Sequence, residues 1–384
     1  MDFKKMRTLL FHNEQSGGVL LILCTVVSLL MANTYNGESY INMWDTELFP
    51  HFTVGYFIND ALMAIFFLLI GLELKREFLI GQLSNKKKAI LPIFAAVGGM
   101  AVPALIYTSF NLGTENMCGW AIPTATDIAF SLAILSLLSK NVPFALKVFL
   151  TALAVVDDLG AIIVIAIFYC KDFDLMNLIY ALSIFGILVA FNKAKINNFI
   201  PYIIGGIIMW YFMHNSGVHA TISGVLLAFT IPFNKGEKTA PAHRLEHFLH
   251  NPVTFFILPL FALANTAIAI SGSFQETLSQ GYSLGILLGL FVGKPLGVIL
   301  FSILTVKFGF SKLMDGVTWN HILGVGFIAG IGFTMSIFVT LLAFDNQTII
   351  NNAKLMILTA SLLSGIVGYV YLRFVCCKVP VIKP

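Results

Sequence analysis

The sequence predicts an all-α integral membrane protein, and three observations carry that expectation. Apolar residues make up 58% of the chain and charged residues 11%, whereas soluble domains carry about 25% charged residues. Runs of about 20 apolar residues, the length that crosses a hydrocarbon core, number twelve along the 384 residues. The basic residues collect on one side once those runs are threaded through a bilayer.

In order, the runs start near Gln15, Thr53, Lys88, Gly119, Phe144, Leu175, Asn197, Gly217, Asn251, Ser283, Asn320 and Lys354. A polar N-terminal piece with Lys4, Lys5 and Arg7 precedes the first. It shows no small-residue cleavage pattern and reads as retained. An inside N terminus puts those residues, then Lys75, Arg76, Lys86 to Lys88, Lys140, Lys147, Lys193, Lys195, Lys235, Lys238, Arg244, Lys307, Lys312, Arg373, Lys378 and Lys383 on one face. Only Lys171 and Lys354 fall on the other, and Lys294 lies within a span. Both termini are then cytoplasmic. The net charge of +4 is thus a matter of membrane sidedness and does not indicate nucleic acid. The five cysteines (Cys24, Cys118, Cys170, Cys376, Cys377) contain no Cys-x-x-Cys spacing, so neither a zinc site nor a disulfide framework is indicated. The longest polar connections, Asn33–Phe52, Phe233–His250 and Ser271–Gly281, are too short for a soluble domain. The work of the chain is expected inside the bilayer, as transport or an intramembrane reaction.

Two runs break the rules for a continuous helix. The fourth contains Ala121-Ile122-Pro123-Thr124-Ala125-Thr126-Asp127, where Pro123 removes a donor and Thr124 or Asp127 can cap a restarting helix. The eleventh carries Gly324, Gly326, Gly330 and Gly332 ahead of Phe333-Thr334-Met335-Ser336. Glycines also serve close helix packing, but non-helical backbone at membrane depth survives only in protein or beside a cavity. These runs are the middles of runs three to five and ten to twelve, which must run in opposite directions. That is the arithmetic of an inverted repeat with a site where the broken helices cross.

Charge at membrane depth is confined to Asp60, Asp127, Asp157, Asp158 and Lys294. An ionised carboxylate at a helix centre costs about 2.5–3.5 kcal/mol, so two in succession require a purpose. Adjacent helical residues point about 100° apart, so one faces a cavity and the other a neighbouring helix. Lys294, the only base there, is expected to pair with one of the aspartates. A static salt bridge accounts for one acid and not four. Asp60 reads as a wetted or hydrogen-bonded structural residue, and Asp127 as a counter-charge to facing half-helix N-termini. The remaining carboxylates, with Thr126 and carbonyls freed by the broken helix, offer oxygens to a hard monovalent cation. Protons compete for the same oxygens, and alternate exposure of one site then exchanges one ion for the other. Antiport needs no second site.

Five motifs carry a resemblance. They are Thr124-Ala125-Thr126-Asp127, Ala154-Val155-Val156-Asp157-Asp158-Leu159-Gly160, Phe291-Val292-Gly293-Lys294-Pro295-Leu296-Gly297, Gly330-Ile331-Gly332-Phe333-Thr334-Met335-Ser336 and Gly71-Leu72-Glu73-Leu74-Lys75-Arg76-Glu77. Together they resemble the NhaA family of bacterial sodium/proton antiporters, from the first span to the last. That family is a known example of inverted-topology repeats. The resemblance implies twelve transmembrane helices, with inverted three-helix repeats (spans 3–5 and 10–12) containing crossed discontinuous helices 4 and 11. It implies one transporter unit over 1–384, core repeats at 88–169 and 283–377, and remaining helices at 15–79 and 175–272. Asp158 and Asp157 look like the family's essential aspartates. Asp158 is the shared ligand of sodium and protons with Thr126 beside it, and Asp157 the partner of Lys294. Asp127 and Lys294 offset the charge of the helix ends, and Lys294 is a candidate proton carrier. Glu73, Arg76 and Glu77, with Glu246, His247 and His250, resemble the cytoplasmic cluster tied to pH response, and His219 matches another such position. Lys75 itself reads as a solvated cation at a helix end.

The implied activity is electrogenic export of Na+ or Li+ against inward protons, activated at alkaline pH, in the bacterial inner membrane. No cofactor is implied; the partners are the transported ions, membrane lipids and a second copy in a homodimer. Family members dimerise with help from an external hairpin, but here Tyr35–Thr53 is short for one and lacks strand-turn-strand alternation. The alternatives are a sodium-coupled solute symporter or another cation/proton exchanger, an intramembrane aspartyl protease and a gated channel. A symporter needs an added polar pocket that the sequence does not display. A protease needs its two acids on different helices, and adjacent Asp157 and Asp158 fit that poorly. A channel differs in having flux uncoupled from protons.

Overall fold

The computed structural model describes residues 14–50, 52–138, 142–170, 173–233, 240–270 and 274–378. The terminal residues Lys4, Lys5, Arg7 and Lys383 and the loop residues Lys140, Lys171, Lys235 and Lys238 lie outside them. The helices are α1 (Glu14–Ala32), α2 (Gly37–Trp44), α3 (Val54–Leu79), α4 (Lys86–Asn111), α5 (Ile128–Leu137), α6 (Phe144–Phe168), α7 (Leu175–Lys193) and α8 (Ile200–Asn215). They continue as α9 (Ile222–Thr230), α10 (Pro241–Asn265), α11 (Phe274–Ser279), α12 (Gly281–Lys307), α13 (Trp319–Ala329), α14 (Phe333–Ala343) and α15 (Gln347–Lys378). A 3-10 segment, Glu115–Thr124, precedes α5.

Among the described residues, seven of these helices are long and apolar enough to cross a membrane, or nine when each of two bent pairs is taken as one span. The chain is a multi-pass membrane protein. The other apolar runs yield shorter helices: α9 has 9 residues and rises only about 14 Å.

Three elements differ from the sequence expectation. The helix expected near Asn251 already starts at Pro241, because its first turns bury Pro241, Ala242, Glu246 and Leu249 and expose polar residues between them. A search for apolar runs passes over such an amphipathic turn. The helix expected near Lys354 starts at Gln347, since the Asn346 side chain accepts from the amide of Thr348 at 2.9 Å and caps it. Lys354 is therefore buried within α15 rather than on an outer loop. The third is a hairpin between α2 and α3, in which β1 (Glu47–Phe49) pairs antiparallel with β2 (Phe52–Thr53) through Glu47↔Thr53 and Phe49↔Phe52. Strands of three and two residues are too short to show an alternating pattern.

The chain divides into two compact units. One comprises Met1–Gly37, Asn85–Ala161 and Thr266–Pro384, and the other Glu38–Ser84 and Ile162–Asn265. In the first, α4 and α12 cross at Gly98 and Gly297, where a Cβ on Gly297 would lie 2.6 Å from the Gly98 carbonyl carbon. In the second, α3 and α9 meet through Gly71 and Gly224: a Cβ on Gly71 would lie 2.6 Å from the Ala228 Cβ. Small residues let backbones approach where no solvent drives them together. A π turn, Gly289–Gly293, interrupts α12 just before Lys294 and Pro295; the amide missing at Pro295 has no ladder bond to make.

The α4–α12 crossing generates an expected outcome. Gly297→Ala is expected to lower stability by about 1–3 kcal/mol, because the methyl meets backbone that cannot rotate away. Thermal unfolding of the detergent-solubilised protein checks this, and an unchanged midpoint would mean the helices do not approach so closely.

Candidate functional site

The site is assembled from two interruptions, both in the first unit. The 3-10 segment ends at Thr124, and Ala125 to Asp127 run extended before α5 begins, a bend of 41°. The second interruption spans Gly330–Gly332 between α13 and α14, with a bend of 48°. The two are stitched together. The Asp127 amide donates to the Ile331 carbonyl at 2.7 Å, the Ser131 hydroxyl to that of Ile328 at 3.1 Å, and the Ser336 hydroxyl to that of Ile122 at 2.7 Å.

Asp127 serves both restarting helices. Its Oδ1 accepts from the Phe130 amide at 3.0 Å, capping α5. Its Oδ2 accepts from the Thr334 amide at 3.1 Å and hydroxyl at 2.7 Å, at the start of α14. Each helix N-terminus carries roughly half a positive charge, so one buried carboxylate, 3% exposed, offsets both and takes up otherwise orphaned donors.

The opposite helix ends present carbonyls. Lys294 donates to the Thr124 carbonyl where the 3-10 segment ends, and its Nζ lies 2.6 Å from Asp157 Oδ2, with both side chains fully buried. The Thr126 hydroxyl lies 2.6 Å from that same Oδ2 and 2.9 Å from the Ala329 carbonyl. A hydroxyl carries one proton, so Thr126 donates to one of these oxygens at a time. Asp158, the next residue of α6, is also buried, points about 100° away from Asp157, and its charge reaches Lys294 as well. The structure thus brings Thr126, Asp157 and Lys294 into direct contact, with Asp158 next to Asp157 and with Asp127, next to Thr126, bonded instead to the restarting helices.

The remaining residues singled out in the sequence lie in the second unit. Arg76 pairs with Glu246 of α10 and, at 3.5 Å, with Glu77. Glu77 also accepts from the Gln82 amide at 3.0 Å. Glu73 is half-buried one turn before Glu77, and His243 stands 3.9 Å from Glu246. His247 and His250 are exposed and make no ion pair among the described residues. His219 is hydrogen-bonded through Nδ1 to the Thr221 hydroxyl at 2.9 Å. Asp60 is buried in a π turn of α3 at Ile58–Leu62 rather than open at the surface. Lys75 is not a solvated cation either, since its ammonium is buried against backbone carbonyls. Sequence reasoning gave no role to Thr334 and Ser336. A hydroxyl pair directly after Gly-x-Gly at a helix restart was the available signal.

The sequence model of the family described as Na+/H+ antiporter 1 matches residues 8–372. The chain is 59% identical over 365 residues to the Na(+)/H(+) antiporter NhaA of Flavobacterium psychrophilum, covering 95% of each chain. It is 54% identical over 375 residues to Na(+)/H(+) antiporter NhaA 1 of Flavobacterium johnsoniae, covering 98% of each. To the Na(+)/H(+) antiporter NhaA of Dechloromonas aromatica it is 53% identical over 368 residues, covering 95% of this chain and 94% of the relative.

Removing one member of a buried ion pair leaves an uncompensated charge and is destabilising by about 3–5 kcal/mol. Lys294→Ala is therefore expected to lower the thermal unfolding midpoint clearly, and Lys294→Ala combined with Asp157→Asn to recover part of the loss. Equal stability of the single variant and the unaltered protein would argue against the pairing.

Proposed function

The chain belongs to the Na+/H+ antiporter 1 family, and on that premise we propose that it exchanges Na+ or Li+ for protons across the bacterial inner membrane, exporting the cation. The observation that carries this reading is the buried Asp157–Lys294 pair with Asp158 beside it at the meeting of two broken helices. A fixed structural salt bridge would not need a second buried acid on the next residue.

In this reading Asp158 ligates the cation with help from Thr126, and Asp157 is the acid held by Lys294. A carboxylate that holds a proton is a poor cation ligand, so the two substrates compete: falling pH favours protons and rising pH the cation. Cation binding draws on the oxygens that hold Lys294, frees that ammonium, and makes Lys294 a candidate proton carrier. More protons than cations move per cycle, so transport is electrogenic and the inward proton gradient drives export. Alternating access exposes the one site to either side in turn.

The architecture belonging to this proposal has twelve spans with both termini cytoplasmic, and inverted repeats over 88–169 and 283–377. The bent pairs at the middle of each range support it. Activation at alkaline pH is assigned to Glu73, Arg76, Glu77, Glu246, His247, His250 and His219; the Arg76–Glu77–Glu246 contacts support the inner part of that set. The proposed assembly is a homodimer, for which the short hairpin β1–β2 offers unpaired strand edges.

The test is sodium-induced proton release in proteoliposomes holding the purified protein. Asp158→Asn is expected to reduce the response at least about tenfold, the size of effect that follows when a site loses about 1.4 kcal/mol or more of ligation. Undiminished exchange in that variant would overturn the assignment.

A further inference from the structure

The second unit contains a buried ammonium that the transport scheme does not use. Lys75 lies one turn beyond Gly71 on α3, the face that meets α9 closely enough for a Cβ on Gly71 to lie 3.1 Å from the Val225 Cα. This approach carries its side chain to the C-terminal end of α9, where Nζ donates to the carbonyls of Ala228 at 3.4 Å, Phe229 at 2.8 Å and Ile231 at 2.6 Å. Asn192 of α7 donates to the intervening Thr230 carbonyl at 2.6 Å. The last carbonyls of a helix have no partners within it; on α9 these two side chains supply those of Ala228, Phe229 and Thr230, and the Thr230 hydroxyl donates to that of Leu227 at 2.7 Å. With nine residues, α9 ends among the buried residues Leu227, Ala228, Thr230 and Ile231, where its terminal carbonyls cannot all turn to water.

A neutral donor serves one carbonyl here, and the charged donor serves three. Negative potential at a helix C-terminus favours a cation, and Lys75 makes no ion pair among the described residues. The charged and titratable groups connected to it along the chain are Glu73, Arg76 and Glu77 on its own helix and, through Arg76, Glu246 and His243 on α10. Among them Arg76 is paired with Glu77 and Glu246, and His243 stands beside Glu246. The neighbours Lys75 and Arg76 therefore tie α3 to two successive elements: Lys75 to the end of α9, Arg76 to the start of α10. The Ala242 amide closes the same connection on the Pro232 carbonyl at 3.2 Å.

We propose that Lys75 is a positioning residue: its charge fixes the C-terminal end of α9 and, through Arg76 on the same turn, sets the pH at which the Glu77–Arg76–Glu246 cluster responds. The second half rests on the reading of that cluster as pH-responsive. Removing the positive charge next in sequence to Arg76 and its paired acids raises the affinity of those acids for protons, so the activation midpoint moves to higher pH.

The experiment uses full-length protein in two arms, amide hydrogen exchange over residues 225–233 and the pH profile of Na+-induced proton release. Lys75→Met is expected to speed exchange there about tenfold or more and to move the activation midpoint up by about half a pH unit or more. Lys75→Arg should restore both. Lys75→Gln, which keeps a donor without charge and is the second variant should Lys75→Met not fold, should move the midpoint as far with a smaller gain in exchange. Asn192→Ala should speed exchange and leave the midpoint in place. Unchanged exchange in folded Lys75→Met and Lys75→Gln would overturn the cap, and faster exchange with an unmoved midpoint would overturn the coupling to pH. Glu246→Gln separates the two readings: an unmoved midpoint in that variant sinks the cluster, while the exchange arm still decides the cap.

Discussion

A fully buried ammonium must be paired or surrender its proton, and the first unit is arranged around that requirement at Lys294. Its partners are a carboxylate at 2.6 Å, Asp157, and a carbonyl at the end of a helical segment, that of Thr124. The bond to Asp157 crosses from α12 to α6, and the bond to Thr124 reaches the broken segment ahead of α5. Both therefore hold the element that carries the proposed ion ligands against the element that restarts beside them. Any change in the charge of Asp157 leaves the ammonium with the Thr124 carbonyl and the more distant charge of Asp158 and alters how these segments are held.

The broken helices supply the field in which this pair sits. Their restarting N-termini converge on Asp127, which gives one oxygen to the Phe130 amide and the other to Thr334. Their ending carbonyls are met by donors: Lys294 at Thr124 and the Thr126 hydroxyl at Ala329. The Thr126 hydroxyl also reaches Asp157; with one proton to give, it links the state of that acid to the end of α13. The same device recurs in the second unit, where Lys75 takes up the carbonyls that end α9. In each case a short helix ends in a buried place, and a lysine from a neighbouring helix provides the charge that water would provide at a surface.

Much of this was legible in the sequence, for reasons that can be named. Asp157, Asp158 and Lys294 stand out because charge is expensive in an apolar run, and Pro123 with Thr124 and Asp127 marks a break because each removes or replaces a backbone hydrogen bond. Which aspartate meets the lysine was not legible from the residues alone: a rotation of about 100° separates the two acids but does not say which neighbour each faces. The roles of Thr334 and Ser336 depend on a crossing some two hundred positions away in sequence. Lys75 was misread because its neighbours Arg76 and Glu77 belong to a polar helix end, whereas its own side chain follows Gly71 into the contact with α9. The hairpin and the polar first turns of α10 escaped because neither is apolar or periodic over enough residues.

The central claim is that cation and protons compete for one set of buried carboxylates. Calorimetric titration of the purified protein with Na+ and with Li+, repeated in buffers of different ionisation enthalpy and at several pH values, tests it most directly. The account predicts protons released as the cation binds and an apparent Kd that rises as pH falls. Cation binding with no proton release and a pH-independent Kd would contradict it.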